Sequence, residues 1–162
     1  MKIEYIEDNL FTNIPEGKKV YICHITNVNF GWGAGFVIPL AKHFPEAEIA
    51  FRSEKNPVLG NTQFVEKNDV IIANMFAQEG YKSASNPTPI RYEALEKCMK
   101  TVAEHIFLNS EARIMTIPFG SGLAGGDWTV IEGMIQKIWI ENDIPVTICY
   151  APPFSRPVKV CT

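Results

Sequence analysis

The stretch Lys19–Gly35, which reads KVYIC followed by HITNVNFGWGAG, decides the fold. Its first five residues are short, apolar and rich in β-formers, the pattern of a buried strand. The loop that follows places Gly31, Gly33 and Gly35 within five residues. Glycine there costs backbone entropy, so some benefit has to offset it. Two readings stay open at this point: N–H groups converging on an anion at the start of the next helix, or a tight strand-to-helix turn with no ligand. A helical stretch from about Ala34 to His43 follows. Pro39 fits only in its first turn or two, since an interior proline costs ~3 kcal/mol.

The same arrangement recurs further along. Arg113–Ile117 (RIMTI) reads as a strand, Pro118–Trp128 (PFGSGLAGGDW) as a second glycine-rich loop, and Asp127 as the N-cap of a helix. That helix carries an apolar stripe of Val130, Ile131, Met134, Ile135, Ile138 and Trp139. Gly120, Gly122 and Gly125 satisfy G-x-G-x-x-G, the pattern of a dinucleotide-binding turn. Position excludes that reading, because the fingerprint opens the first βαβ unit and only about one helix and one strand follow here. Neither loop ends in Gly-Lys-Ser/Thr, so there is no P-loop. Phosphate binding by backbone N–H groups needs only glycine and a helix start, and it survives both objections.

Four more segments read as strands: Ile3–Ile6, Thr62–Val65 and Asp69–Met75 around the turn Lys67-Asn68, and Val146–Tyr150. Asn86–Pro89 reads as a helix start, with Thr88 capping and Pro89 in the first helical position. Ile90, Ala94, Leu95, Cys98, Met99, Val102 and Ile106 then recur at helical spacing. Strands alternating with helices predict a three-layer α/β/α sandwich with a central mixed sheet. Ligands of such sheets bind beyond the carboxyl ends of the strands, so the two loops are expected at one edge. Residues 1–162 read as a single domain, with an irregular, proline-containing tail over 151–162.

The 162 residues and 18.2 kDa suit one domain, and 46% hydrophobic with 20% charged residues is ordinary globular composition. A net charge of −3 argues against a general nucleic-acid binder. Cys23, Cys98, Cys149 and Cys161 are scattered, with no C-x-x-C pair, which points to a reducing compartment rather than a disulfide framework. The N-terminus alternates apolar and acidic residues, and no run approaches the ~18 apolar residues of a membrane span. A soluble, cytoplasmic protein without metal or cofactor is the expectation.

Taken together the loops resemble those of the macrodomain family, in the branch of ADP-ribose 1″-phosphate phosphatases and terminal ADP-ribose glycohydrolases. The resemblance runs from Ile3 to Tyr150. It rests on Asp8-Asn9-Leu10-Phe11 after the first strand, on His24-x-x-Asn27-x-Asn29-x-Gly31-Trp32-Gly33-Ala34-Gly35, and on Pro118-x-x-Ser121-Gly122-Leu123 followed by Trp128. It implies that Asn9 stands where relatives place an Asp that bonds the adenine amino group. Gly33, Ala34 and Gly35 would hold the diphosphate from one side. Ser121, Gly122 and Leu123, in the loop opened by Gly120, would hold it and the distal ribose from the other. Asn27 and Asn29 would lie near that ribose, although as bare residues they read as turn formers. Tyr150 or Phe154 could stack on adenine or simply pack.

For catalysis the resemblance offers His24, since the phosphatase branch shows a histidine at the matching place and an imidazole near neutral pH can act as acid or base. On its own, a histidine at a strand end reads as a loop-orienting group. Asp127 serves as a cap, or also as a catalytic carboxylate if it faces the pocket. Two departures matter: Ile72–Phe76 (IANMF) lacks the glycohydrolases' lysine near the central strand's end, and Ala124 stands where they carry an Asp. The implied activity is therefore a phosphatase converting ADP-ribose 1″-phosphate to ADP-ribose and phosphate. The alternatives are an ADP-ribosyl hydrolase acting on modified protein or nucleic acid, and a non-enzymatic ADP-ribose binder. Nucleic acid enters as a partner only in its ADP-ribosylated form.

Overall fold

In the computed structural model, described over residues 1–109, 111–122 and 124–155, six strands form one sheet. They are β1 (Glu4–Glu7), β2 (Val20–Asn27), β3 (Thr62–Lys67), β4 (Val70–Gln78), β5 (Arg113–Thr116) and β6 (Val146–Tyr150), in the order β1-β6-β5-β2-β4-β3. β3 runs antiparallel to β4 and every other pair is parallel, so the sheet is mixed. The β3–β4 hairpin turns at Asn68, whose φ of 55° suits a residue that tolerates the left-handed region.

Strand geometry sends alternate side chains to opposite faces. Val20 and Ile22 of β2 and Ile72 and Phe76 of β4 pack against Leu40, Ala47 and Phe51. Those three come from α1 (Val37–His43) and α2 (Pro45–Ser53). Tyr21, Cys23, Ile71, Ala73 and Met75 face the other way. There they meet Leu95, Met99 and Val102 of α3 (Tyr92–Phe107) and Ile131 and Ile135 of α4 (Trp128–Ile138). Both faces of the sheet are covered, which is why its inner strands are apolar almost throughout. Trp139, fully buried after α4, donates its indole N–H to Met99 O at 2.9 Å and ties the two outer helices together. The architecture is the three-layer α/β/α sandwich that the alternation predicts.

Three helix expectations need correcting. The first helix begins at Val37 rather than Ala34, which puts Pro39 in its first turn where a missing N–H costs no bond. α2 lies outside the sequence reading: Pro45 opens it at N1, and it buries only Ala47 and Phe51. α3 starts at Tyr92, not at Thr88-Pro89. Ile90 N–H bonds Ala124 O at 3.1 Å and Arg91 N–H bonds Ala77 O at 2.8 Å, so tertiary pairing holds this segment extended. On α4, Val130 is exposed and drops out of the expected stripe. No helix among the described residues is long and apolar enough to cross a membrane.

Candidate functional site

β2 and β5 are parallel neighbours, so both glycine-rich loops leave the sheet at its carboxyl edge. Beside them a cavity of about 570 Å³ opens over the ends of β1, β5 and β6. Its wall combines Asp8–Phe11 after β1, Phe36 and Pro39 at α1, Ile117, Pro118, Ser121 and Gly122 after β5, and Cys149–Ala151, Pro153 and Phe154 at the β6 end. An apolar, aromatic cavity with a few polar groups is the usual form of a small-molecule site.

The polar end is built by a short turn. Asn9 caps the 3₁₀ turn Leu10–Thr12, its Oδ1 accepting the Phe11 N–H at 2.8 Å. Asp8 Oδ1 accepts the Asn9 N–H at 2.8 Å and Oδ2 accepts from Asn13 Nδ2 at 3.2 Å. The Asn9 N–H first, then the Asn13 amide, hold the Asp8 carboxyl below the ordinary carboxylate range. The aromatic wall is braced from behind. Phe11 stacks on His43 with ring centroids 4.1 Å apart, Phe154 meets Tyr150 at 5.5 Å, and Trp128 meets Phe154 at 5.7 Å.

The second loop owes its shape to glycine. Gly120 has a φ of +78°, and Gly126 N–H bonds Gly120 O at 2.7 Å. Ser121 Oγ donates to Pro118 O at 2.8 Å, which folds the loop mouth back on itself. Gly122, on the cavity wall, has open space where a Cβ would stand. Phe119 is buried edge-on to Trp128, shaping the loop from below. Leu123 lies outside the described residues.

Of the sequence candidates, Asn9, Ser121 and Gly122 come together on the cavity wall. Gly33, Ala34 and Gly35 are exposed beside it, immediately before Phe36, whose ring reaches the wall. Gly120 supports from inside the second loop. The other four stand elsewhere. Asn27 is buried and bridges two loops: its Oδ1 accepts from Asn29 N–H and Gly80 N–H, and its Nδ2 donates to Gly80 O at 2.9 Å. Asn29 is exposed on that bridge, away from the wall. Asp127 caps α4, accepting the Thr129 N–H at 2.9 Å, and does not line the cavity.

His24 is 2% exposed and packs its ring against Trp32 and against Phe36; Phe36 lines the cavity and His24 does not. Its protonation follows from donor counting. Asn74 Nδ2 donates to Ala47 O and to Gln63 Oε1, both at 3.1 Å, so Asn74 Oδ1 is the acceptor facing His24 Nε2 at 2.5 Å. Nε2 therefore carries the proton. Nδ1 is a bare lone pair with no partner among the described residues. Burial lowers the imidazole pKa to about 4, so it is neutral near pH 7. The neutral ring braces β2 against β4 from inside the strand, bonded to the Asn74 side chain rather than to loop backbone, because β2 continues past His24 to Asn27.

Residues the sequence reading did not place at the site are Phe36, Cys149 and the Asp8 carboxylate. Asp8 follows a strand end, a position that carries function in open α/β sheets, and that was the available signal. Phe36 stands at the N-cap of α1, one residue before the helix, and its side chain lines the wall.

No model of a known protein family matches the chain. A macrodomain protein from Streptomyces coelicolor has a structure similar to this one, with a TM-score of 0.75 and 32% identity over 92% of this chain and 98% of that chain. The chain belongs to the macrodomain family. It is also similar to a Bacteroides thetaiotaomicron protein of unknown function, at TM-score 0.84 and 36% identity over 93% of this chain and 98% of that one. Among curated proteins, an ADP-ribose 1″-phosphate phosphatase of Candida albicans is 26% identical over 144 residues, covering 83% of this chain and 92% of the relative. A human ADP-ribose glycohydrolase is 22% identical over 147 residues, covering 91% and 90%.

Proposed function

We propose that this chain binds ADP-ribose in the carboxyl-edge cavity and hydrolyses ADP-ribose 1″-phosphate to ADP-ribose and phosphate, as a single cofactor-free domain in the cytoplasm. The observation that carries the reading is the cavity itself: aromatic walls, a polar turn at Asp8-Asn9, and Gly122 of the second glycine-rich loop, open on the wall. Aromatic walls suit a nucleobase and glycine loops suit a diphosphate. The Candida albicans relative supports the phosphatase step. In that step water forms the new P–O bond, the bond to the distal ribose oxygen breaks, and that oxygen gains a proton.

The human relative supports a second reading, release of ADP-ribose from a modified macromolecule. Against it, β4 ends in Ala77-Gln78 with no lysine, and buried Ala124 offers no carboxylate. Calorimetry with ADP-ribose tests the pocket, and phosphate release from ADP-ribose 1″-phosphate tests the chemistry. Binding without phosphate release would leave a binder or a different hydrolase, and no binding would end the proposal.

A further inference from the structure

Beneath the first glycine-rich loop, His24 Nδ1, Thr26 Oγ1 and Trp32 Nε1 have no hydrogen-bond partner among the described residues. Their residues are 2%, 2% and 4% exposed, so bulk solvent does not reach them. His24 and Thr26 stand two apart on β2 and share one face of the sheet. Trp32 closes over that face, its ring perpendicular to the His24 ring at 5.6 Å and packed on Phe51 at 4.9 Å. Phe36 covers the imidazole from a further side at 5.8 Å. Between Thr26 and Asn27 the register of β2 on β4 shifts, so the ladder is interrupted where the loop leaves the sheet.

A bare buried polar group carries its full desolvation penalty, and in native proteins an ordered water ordinarily meets it. The chemistry of the three atoms identifies the molecule that fits. The Trp32 indole N–H only donates. His24 Nδ1 only accepts, because Asn74 Oδ1 fixes the ring proton on Nε2. The Thr26 hydroxyl does either. A metal ion or ammonium has no lone pair to offer the indole, and an anion has no proton for the imidazole. We infer that one ordered water is bound here, accepting from Trp32, donating to His24 and bonding Thr26, and that it positions the first glycine-rich loop. Three partners is the usual number for a buried water. Trp32 is the only buried residue between Phe30 and Gly35, so its bond through the water sets how the loop sits on β2. The consequence for affinity rests on the ADP-ribose reading, in which this loop holds the diphosphate.

The test begins with a high-resolution crystal structure of the full chain. Density for a water within about 3.2 Å of both Trp32 Nε1 and His24 Nδ1 is expected, and its absence overturns the site. Calorimetry with ADP-ribose then tests the role. Thr26→Val keeps the shape, removes the hydroxyl and lies outside the cavity wall. Its affinity is expected to fall about threefold, the scale of one neutral hydrogen bond. Trp32→Phe keeps a ring without the donor and should lose about tenfold. Thermal melts check that both variants fold. Unchanged affinity in folded Thr26→Val overturns the positioning role. Water in the crystal but no heat with ADP-ribose from the wild type sinks the ADP-ribose reading and leaves the water site standing.

Discussion

An added Cβ at Gly122 meets no atom within 4 Å, whereas at Gly120 it would lie 2.7 Å from Ile90 Cδ1 and 2.9 Å from Ile25 Cδ1. Gly120 also has a φ of +78°, a conformation that side-chain-bearing residues adopt at a cost. Gly120→Ala is therefore expected to cost ~2–3 kcal/mol, read as a melting temperature lower by ~5–10 °C. Gly122→Glu has room to fold, and its carboxylate would enter the space proposed for the diphosphate. Its melting temperature should stay within ~2 °C of wild type while ADP-ribose binding is lost. Retained binding in Gly122→Glu would put the diphosphate elsewhere. The sequence could show that these positions are glycine but not which was structural. That difference depends on Ile90 and Ile131 arriving from distant elements. Asn9 and Ser121 were legible as wall residues because motif and strand end coincide there. His24 and Asp127 were legible as polar groups near a loop, but their direction is set by Asn74 and Thr129.

At the scale of elements, Asn27 shows how one side chain fastens two loops. It holds both polar backbone groups of Gly80 and the N–H of Asn29, pinning the segment after β4 onto the segment after β2. Asn27→Ala leaves the N–H groups of Asn29 and Gly80 without their partner, while Gly80 O keeps Gln78 Nε2 at 3.0 Å, at a cost of ~2–3 kcal/mol. Limited proteolysis should then cut faster within residues 79–86, and an unchanged cutting pattern would count against the bridge. Asp127→Ala removes one helix cap worth ~1 kcal/mol and should lower the melting temperature by ~2–4 °C. Its affinity for ADP-ribose should not change, because Asp127 does not face the cavity. All six strands and three of the four helices were readable from periodicity. α2 was not, since its first turn follows His43 with only Phe44 between and two buried residues make a weak stripe. The start of α3 misled because Thr88-Pro89 has the chemistry of a cap, while Ile90 and Arg91 are claimed by backbone partners on Ala124 and Ala77.

For the molecule as a whole, the sheet order brings the strand ends at β1, β6 and β5 to one rim, and the cavity opens there. Alternation of elements was enough to foresee a shared rim, but not that β6 would lie between β1 and β5. The same sheet buries His24 deeply, and this has a global effect. Its folded pKa of about 4 lies below the ordinary imidazole value of 6.5, so the unfolded chain binds the proton more readily between these values. Stability is thus fully present above about pH 6.5 and falls as the pH drops toward 4, by an amount on the order of 3 kcal/mol. Chemical denaturation at pH 7.5 and 4.5 should show a smaller loss in His24→Gln than in wild type. Equal losses would mean the ring is not held neutral.

The cysteines give the same architecture a chemical clock. Cys23, Cys98 and Cys149 are buried, and burial pushes the Cys149 thiol up to about 11, with Asp8 and Glu4 adding to the shift. A thiol in that state reacts with a disulfide reagent only when the structure opens around it. Cys149 stands in the cavity wall, whereas Cys98 belongs to α3 in the helical layer on the opposite face of the sheet. In a Cys161→Ser background, the labelling rates of Cys149 and Cys98, resolved by site from that of Cys23, would time the opening of each side separately. A nucleotide seated in the cavity should slow modification of Cys149 more than that of Cys98, so the chain carries its own reporter of occupancy.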